Sequence, residues 1–538
     1  MTEARVFKLG DLLSESEVDF ECLGGYPDQQ PASWRDLHIT NLEHDSRKVS
    51  PGTLFFCIPG TVSDGRQFAG DALDAGARAL VAERPADGVN APQIIVADAR
   101  QALARVAARF YGHPSRQLRV TGITGTNGKT TSAYVLESIL RGAGRVTGLI
   151  GTVETRVAGV AAPAQRTTPD ALELQRILAR MVEAQVSDVV MEVSSHALDL
   201  ERVGALRFAA TAFTNLSQDH LDYHHDMESY FAAKRKLFFD YEATARVINV
   251  DDAWGRRLFD ELERAGLETF GVGSATLAGP AGATDSESGA SPRLGLAFDP
   301  ARVCYRPTRT EFCLFEPAGE DGAAPRDEPV AVRAPLVGAY NVHNVLIAAG
   351  CALNLGLSLE EIAPLIAALS AAPGRLEHVE AGQPFTVLVD YAHTDDALRT
   401  ALSALRAIIT GRLITVFGCG GDRDRSKRPL MGRAAGEGSD YVIATSDNPR
   451  GEDPCAILVE VEAGLAATGK PYEVIVDRAR AIARATSMAE PDDCVFIAGK
   501  GHEDYQIFAD KTIHFDDREV ALAALDELGY ARRADERP

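Results

Sequence analysis

The sequence predicts an α/β protein with more than one hydrophobic core, each built on a parallel sheet with helices on both faces. Three observations carry that expectation. The chain has 538 residues, too many for one core, and about 150 residues per domain gives three or four domains. From about residue 116, apolar strands alternate with amphipathic helices, the order that builds parallel sheets. The alternation starts afresh near "AAPGRLEHV".

Residues 1–115 mix short apolar runs with turn clusters such as "VSPGTLFFCIPGTVSDGRQF", and are assigned to a smaller N-terminal α/β domain. Residues 116–371 carry "RQLRVTGITG", "KTTSAYVLESIL", "VSDVVMEVSS" and "ATAFTNLS". Runs such as Val189-Val190-Met191 suit strands buried on both faces. The stretch 273–295, "GSATLAGPAGATDSESGASPRLG", is rich in Gly, Ala and Ser. It has too little apolar area to order itself and is expected to be a mobile surface insertion. Residues 372–538 carry "PFTVLVD", a helix from Thr394, "RLITVFG", "DYVIATS", "YEVIVD" and "DDCVFIAG", a second doubly wound unit.

Composition excludes several classes. Apolar content of 45% with 25% charged residues is ordinary for a soluble globular protein. A formal charge of −22 argues against a nucleic-acid partner, which needs a basic face. It leaves room for a small anionic substrate held by a few Arg and Lys side chains. The start, "MTEARVFKLGDLLSESEVDF", lacks a basic region followed by an apolar one, and no apolar run is long enough to span a bilayer. A cytoplasmic location without membrane insertion is expected. The eight cysteines, Cys22, Cys57, Cys304, Cys313, Cys351, Cys419, Cys455 and Cys494, are scattered and form no CxxC pair. Reduced, buried thiols are expected rather than a disulfide frame or zinc site.

The strongest local signal is "TGITGTNGKTT", residues 121–131, between a strand and a helix. Glycines there turn the backbone tightly and aim its N–H groups at phosphate oxygens, and the helix N-terminus adds positive potential. Gly125, Thr126, Asn127, Gly128 and Thr131 form the cradle, Lys129 reaches the terminal phosphates, and Thr130 is a Mg²⁺ ligand. Gly122 lies six residues before Gly128, one more than the strict spacing, so the loop is a variant. A chance glycine turn is a poor alternative with a strand before it and a helix after.

Other motifs weigh more evenly alone. Glu192 of "MEVSSHAL" ends a strand that reads as buried; it is either a satisfied structural acid or a cation ligand at the sheet's carboxyl edge. "FTNLSQDHLDYHHDMESYFAAKRKLFF" crowds His220, Asp222, His224 and His225 after the next strand; such a run is ordinarily solvated, but after a P-loop-like strand and a strand-end Glu, metal or phosphate work is the better expectation. Lys234 sits on a helix with Phe231, Leu237 and Phe238, where a snorkelling surface lysine is the default. In "LVGAYNVHNVLIAAG", Asn341 and Asn344 share a helix face, and Asn341 alone reads as an N-cap.

Further on, "VDYAHTDDAL" and "FGCGGDRDRSKRPLMG" each follow a strand, the second with three glycines before Asp422, Arg423, Asp424 and Arg425. A solvated charge cluster competes there with close approach to a ligand. "AGKGHEDYQ" repeats the arrangement with Gly499 and Glu503, and "SDNPRGED" adds Asp447, Asn448, Pro449 and Arg450. Guanidinium and carboxylate groups gathered at one sheet edge suit a zwitterionic ligand.

In that order, the strings "GTNGKTT", "MEVSSHAL", "FTNLSQDHLDYH", "GAYNVHN", "DYAHT", "GCGGDRD" and "DNPR" resemble the Mur ligase family of peptidoglycan precursor synthesis over essentially the whole chain. The resemblance implies a uridine-nucleotide domain, a central P-loop-type ATPase and a C-terminal Rossmann-like domain. It also implies ATP, Mg²⁺ and an acyl-phosphate intermediate. The implied product is meso-diaminopimelate joined to UDP-MurNAc-L-Ala-D-Glu, and the implied enzyme is a monomer acting on small molecules.

Carried over by position, Lys129, Lys234 and His220 are catalytic; Glu192 and His220 hold a second Mg²⁺, with Lys234 as a carbamate. Asn341, Asn344, Arg375 and Asp390 join the ATP site. Ser46, Thr61, Val62 and Ser63 resemble the uridine contacts, and Thr167, Thr168, Ser194 and Arg202 those to the muramoyl-dipeptide. Arg423, Asp447, Asn448, Pro449, Arg450, Gly499 and Glu503 make the amino-acid pocket. Asp395 departs from the pattern, standing where the family often has Pro after "AHT". Three rival expectations are an L-lysine-adding ligase of the same family, a folylpolyglutamate synthase and a catalytically idle nucleotide-binding scaffold.

Overall fold

In a computed structural model of the chain, the described residues are 5–23, 34–60, 63–275, 294–317, 328–369 and 373–530. Most of the expected 273–295 insertion, together with Thr61 and Val62, lies outside them. The chain divides into two compact units, one holding 1–272 and 350–357, the other 294–349 and 358–538.

The first unit carries two sheets. Strands Asn41–Glu43, Thr53–Phe56, Ala77–Ala82 and Gln93–Val96 run parallel, with Phe20–Leu23 antiparallel at the edge. Leu54, Phe56, Val81 and Ile94 pack on one face, beneath helix Ala99–Phe110, while Phe55 and Leu80 pack on the other. The period of two that separates these sets is that of a strand covered on both sides.

The second sheet of this unit is centred on Arg119–Thr124. Asp188–Glu192 and Phe208–Phe213 flank it in parallel, Thr147–Ile150 and Ala243–Asn249 lie beyond them, and Phe270–Ser274 follows Ala243–Asn249. A hairpin, Glu154–Val157 and Val160–Pro163, closes the Thr147 side. The two sheets are joined through helix Ala171–Glu183. From that helix Arg176 donates to Glu43 Oε1 at 2.6 Å, to the Leu42 carbonyl at 2.9 Å and to the Tyr111 hydroxyl at 3.0 Å.

In the second unit an antiparallel set, Leu294–Phe298, Cys304–Tyr305, Thr310–Phe315 and Val330–Ala334, precedes helix Ala339–Asn354. The C-terminal sheet runs Thr386–Asp390, Cys494–Ala498, Leu413–Phe417, Tyr441–Ala444, Tyr472–Val474, all parallel, with Glu377–His378 antiparallel at the end. Leu388 and Phe496 pack beneath the helices that carry Leu402, Ala434 and Val461, whereas Val387, Val389, Val495 and Ile497 pack against Ile482 and Leu525 on the far face. Arg478 and Asp517 tie two helices of that far face together at 2.7 Å, both fully buried. Removing one partner of such a pair strands a buried charge.

The α/β class expected from the sequence is the class observed. The cysteines are all free, but they are not uniformly buried. Cys57, Cys351, Cys419 and Cys494 are inside, whereas Cys455 is exposed near the start of helix Pro454–Ala466.

Candidate active site

Both units gather their polar side chains at the carboxyl ends of parallel strands, where open α/β sheets bind ligands. In the first unit the turn after Arg119–Thr124 leads into helix Lys129–Gly142. Gly125 and Gly128 have φ of 148° and 86°, a region that favours glycine. A Cβ on Gly125 would lie 1.9 Å from Thr214 Oγ1. The neighbouring strand end fixes the turn: Thr126 N donates to the Asn215 carbonyl at 2.9 Å, Asn127 N to Asn215 Oδ1 at 3.0 Å, and Thr214 Oγ1 to the Asn127 carbonyl at 2.6 Å. Lys129 Nζ folds back on the Gly125 and Thr126 carbonyls, at 3.0 and 2.7 Å.

Glu192, 1% exposed, is a satisfied acid at the heart of this edge. Its Oε2 accepts from Thr130 Oγ1 at 2.9 Å and Thr152 Oγ1 at 3.1 Å, and its Oε1 from Thr152 N at 2.8 Å. Thr152 went unread in the sequence because nothing local marks a lone threonine before a hairpin. A hydroxyl beside a carboxylate offers the hard oxygen donors that Mg²⁺ takes in ones and twos, with water and phosphate completing the shell. The residues therefore fit the ion at Thr130 and Glu192. His220, also expected at the ion, is 49% exposed and pairs with Asp219 at 3.4 Å. Among the described residues no cluster of three or more His, Cys, Asp or Glu could hold a metal.

Lys234 is not a snorkelling lysine. It is 1% exposed on helix Met227–Phe239, donates to the Gly125 carbonyl at 2.8 Å, and lies 4.5 Å from the centre of the Tyr230 ring. Burial, then the charge of Lys129, holds its ammonium well below the ordinary lysine range, which favours the neutral amine.

Thr167, Thr168, Ser194 and Arg202 form one chain of contacts beside Glu192. Thr168 Oγ1 donates to the Glu192 carbonyl at 2.9 Å and accepts from Ser194 N at 3.1 Å. Arg202 Nη1 reaches the Thr168 carbonyl at 3.0 Å, and Thr167 meets Thr152 at 3.1 Å. Burial first, and then Arg166, pull the Arg202 guanidinium down. At the N-terminal sheet Ser46 opens a short turn capped by Asp45, and the exposed Ser63 accepts from Gly60 N at 3.0 Å.

In the second unit Asn341 is inside helix Ala339–Asn354 rather than capping it. Its Nδ2 donates to the Val337 carbonyl at 2.7 Å, and its Oδ1 accepts from Asn344 at 2.8 Å. Asp390, raised by burial, accepts from Leu376 N and Ala392 N, both at 2.8 Å. Arg375 lies 5.3 Å from the Tyr391 ring centre, and its buried Nε has no partner. His502 packs on the same ring at 4.9 Å with its buried Nδ1 also unpartnered; burial, then Arg375, lowers it to about 4.

A cavity of about 560 Å³ opens at the ends of four strands of the C-terminal sheet, lined by Arg423, Asp447, Asn448, Arg450, Gly499 and Glu503 among others. Pro449 is not in the lining; its carbonyl packs where a Cβ on Gly421 would sit, at 1.9 Å. The three glycines of "GCGG" thus serve chain packing as well, since a Cβ on Gly418 would meet the Thr445 carbonyl at 2.4 Å. Arg450, at φ 51°, donates to the Gly421 carbonyl at 2.9 Å. It does not pair with Glu452, whose carboxylate is held by the buried Arg428 at 2.7 Å.

Sequence reasoning also missed Lys500. It is fully buried, and its ammonium touches Asn448 Oδ1 at 3.1 Å, Asp447 Oδ1 at 3.3 Å and Glu503 Oε2 at 3.5 Å. The signal was a lysine between two glycines at a strand end. Asp447 and Asn448 are therefore anchored to Lys500 rather than to Arg450.

A glycine phosphate loop with a Thr–Glu pair and a zwitterion-matched cleft define a nucleotide-dependent enzyme acting on a charged small molecule. Comparison with known proteins names the group. Residues 38–111 match the description "Mur ligase family, catalytic domain", 123–352 "Mur ligase middle domain" and 374–501 "Mur ligase, glutamate ligase domain". A relative from Solibacter usitatus, the UDP-N-acetylmuramoyl-L-alanyl-D-glutamate--2,6-diaminopimelate ligase, is 46% identical over 497 residues, 91% of this chain and 94% of the relative. The protein of the same name from Geobacillus thermodenitrificans is 43% identical over 527 residues, 97% and 99% of the two chains. A solved structure of a ligase with that name superposes with a TM-score of 0.66 at 31% identity, covering 94% of this chain and 98% of its own. The chain belongs to the Mur ligase family, the ATP- and Mg²⁺-dependent ligases that form amide bonds in peptidoglycan synthesis.

Proposed function

We propose that this chain joins meso-diaminopimelate to UDP-MurNAc-L-Ala-D-Glu, as a monomer in the cytoplasm. No described helix is long and apolar enough to cross a membrane. The observation that carries the reading is the 560 Å³ cavity of the C-terminal sheet, which offers two guanidinium groups, Arg423 and Arg450, beside Asp447, Asn448 and Glu503. That set complements an amino acid with carboxylates and ammonium groups at both ends. The names of the relatives give the same substrates.

The division of labour follows the three stretches 1–115, 116–371 and 372–538: uridine substrate, ATP chemistry and amino acid. Ser46 and Thr61 to Ser63 serve the uridine end. Thr167, Thr168, Ser194 and Arg202 hold the dipeptide, with Arg202 as its carboxylate partner. Asn341, Asn344, Arg375 and Asp390 serve the adenine nucleotide, to which the unpartnered Arg375 Nε supplies a donor.

The γ-phosphoryl group passes to the γ-carboxylate of D-Glu; the incoming amine then attacks the acyl carbon, and phosphate leaves with the C–O bond electrons. The loop N–H groups and the N-terminus of Lys129–Gly142 receive phosphate oxygens. Lys129 exchanges its carbonyl partners for those oxygens, countering charge as it develops. Thr130 would hold the Mg²⁺ that accompanies ATP, and Glu192, His220 and a carbamylated Lys234 would hold a second; the ions would neutralise charge on the transferring phosphoryl. The neutral amine of buried Lys234 is the form that adds to CO₂, losing a proton as the carbamate forms.

The test is phosphate release with UDP-MurNAc-L-Ala-D-Glu, labelled with heavy oxygen in the D-Glu γ-carboxylate, against a panel of amino acids. Release that depends on meso-diaminopimelate and carries the label is the expected result. Release that prefers L-lysine, or carries no label, overturns the substrate or the intermediate respectively.

A further inference from the structure

Two carboxylates that share one small cavity repel each other, and in water-poor surroundings one of them takes up a proton unless a cation stands between them. Asp447 lies past strand Tyr441–Ala444 and Glu503 past strand Cys494–Ala498, so they come from chain segments far apart in sequence. The group between them is Lys500. Its backbone is fixed by left-handed glycines on each side, Gly499 at φ 118° and Gly501 at φ 53°. A Cβ on Gly501 would lie 2.7 Å from Tyr391 Cβ, so the turn cannot relax outward with a side chain there. Gly499 N donates to the Asp390 carbonyl at 3.0 Å and Glu503 N to the Lys500 carbonyl at 2.9 Å, which completes the clamp.

The ammonium's three protons meet three acceptors, one each from Asp447, Asn448 and Glu503. Asn448 is locked in turn: its Oδ1 also accepts from Ile507 N at 3.0 Å, and its Nδ2 donates to Glu503 Oε2 at 2.9 Å. Asp447 Oδ2 and Glu503 Oε1 take no part in these bonds. Asp447, Asn448 and Glu503 line the cavity while Lys500 does not, so the lysine acts on a ligand only through them.

We propose that Lys500 is a positioning residue for the amino-acid substrate: it holds Asp447 and Glu503 as a pre-set pair of carboxylates whose outward oxygens receive a substrate ammonium. The inference rests on the pocket reading given above. It adds a charge count that the pocket residues alone do not give. With Lys500 the acidic side carries one net negative charge, matched to one ammonium; without it the two carboxylates repel and one takes up a proton.

Other charged groups around the pair do not replace the lysine. Arg478 acts on both carboxylates from the far side but is committed to Asp517, and Arg450 is turned to the Gly421 carbonyl. Tyr391 and Cys419 are each pushed up to about 12 by burial and stay neutral near neutral pH; Tyr505 is raised as well. His393 lines the same cavity and is present in wild type and variants alike.

The experiment measures KM for meso-diaminopimelate, KM for ATP and kcat in Lys500→Met and Lys500→Arg across about pH 6.5 to 8.5. Without the cation one carboxyl holds a proton that ligand binding must expel, so affinity falls as pH falls. Lys500→Met is expected to raise the amino-acid KM about tenfold or more at the acid end, and at least about threefold less at the alkaline end. KM for ATP should stay within about threefold of wild type, and Lys500→Arg should follow the wild-type pH curve whatever its absolute KM. A Lys500→Met ratio that is flat with pH, or an Arg variant with the pH slope predicted for Met, overturns the proposal and leaves Lys500 a packing residue. The Arg arm decides alone should the Met chain not fold. Wild-type phosphate release that is independent of any amino acid overturns the pocket reading itself, a result separate from either slope.

Discussion

The two strand-end regions use the same position in an α/β sheet for opposite kinds of chemistry. In the first unit the phosphate loop is mostly backbone: N–H groups, a helix N-terminus and carbonyls that park Lys129 and Lys234. In the second unit the cavity is mostly side chain, with guanidinium and carboxylate groups brought from three strand ends. A backbone site recognises what all its substrates share, a phosphate. A side-chain site chooses among ligands that differ by one charged group. The first should fail completely when broken, and the second should fail selectively.

Lys234 gives the largest expected effect. Lys234→Ala should lower phosphate release by about a thousandfold or more, the scale of losing a preorganised charge at the transferring phosphoryl. Formate or acetate should restore part of it by supplying carboxylate oxygens. An Ala variant with full activity would assign the chemistry to the backbone cradle alone and leave Lys234 without a catalytic role.

Arg450→Ala comes next. Diaminopimelate differs from lysine by a distal carboxylate, and loss of a two-pronged guanidinium contact should lower its kcat/KM by roughly a hundredfold to a thousandfold. KM for ATP and for the uridine substrate should barely move. Diaminopimelate use at the wild-type rate would return the "DNPR" turn to a purely structural role.

A smaller effect concerns acid stability. His502 has a folded value of about 4 against an ordinary 6.5, so between these values the unfolded chain binds the proton more readily. The C-terminal sheet therefore loses stability as pH falls through that window, by up to about 3 kcal/mol, and is unaffected above it. His502→Gln removes the titration. Hydrogen exchange at the Cys494–Ala498 amides should then depend less on pH in the variant. Equal acid sensitivity in both proteins would assign the loss to other groups.

How far each region was legible follows from the same contrast. The phosphate loop is one contiguous string, so glycine spacing, strand and helix all appear within residues 119–142. The cavity is assembled from distant strings, and its named residues were found because each string ends a strand. Lys500 and Arg428 were not singled out, because their roles are set by burial: Arg428 is 1% exposed and pairs with Glu452 and Glu460. A charged residue inside a charged string gives no sign of being buried. Lys234 misled in the same way, since its helical neighbours fit a surface lysine as well as a buried one. His220 sits in a His/Asp-rich loop, and its ring is half exposed beside Asp219.

The smallest effect is expected at Asp395, where the family often has Pro. Asp395 is the first residue of helix Asp395–Arg406, and Thr394 caps that helix by accepting from Ala397 N at 3.2 Å. The first helical position has no N–H partner to lose, and its backbone angle is the one proline prefers. Thr394, at φ −127° and ψ 158°, already has the extended conformation that a following proline demands. Replacing Asp395 by Pro therefore strains nothing. It gains about 0.4–1 kcal/mol by restricting the unfolded chain and loses a first-turn acid worth about 0.3–1 kcal/mol to the helix dipole. The two terms nearly cancel, so Asp395→Pro should leave stability within about 1 kcal/mol of wild type and kcat/KM unchanged, as read from denaturant midpoints and phosphate release. Thr394→Ala, which removes the cap, should cost about 1 kcal/mol and is the control. A large loss in Asp395→Pro with a small one in Thr394→Ala would mean that the Asp395 carboxylate itself is needed, and that the departure from Pro is a functional one.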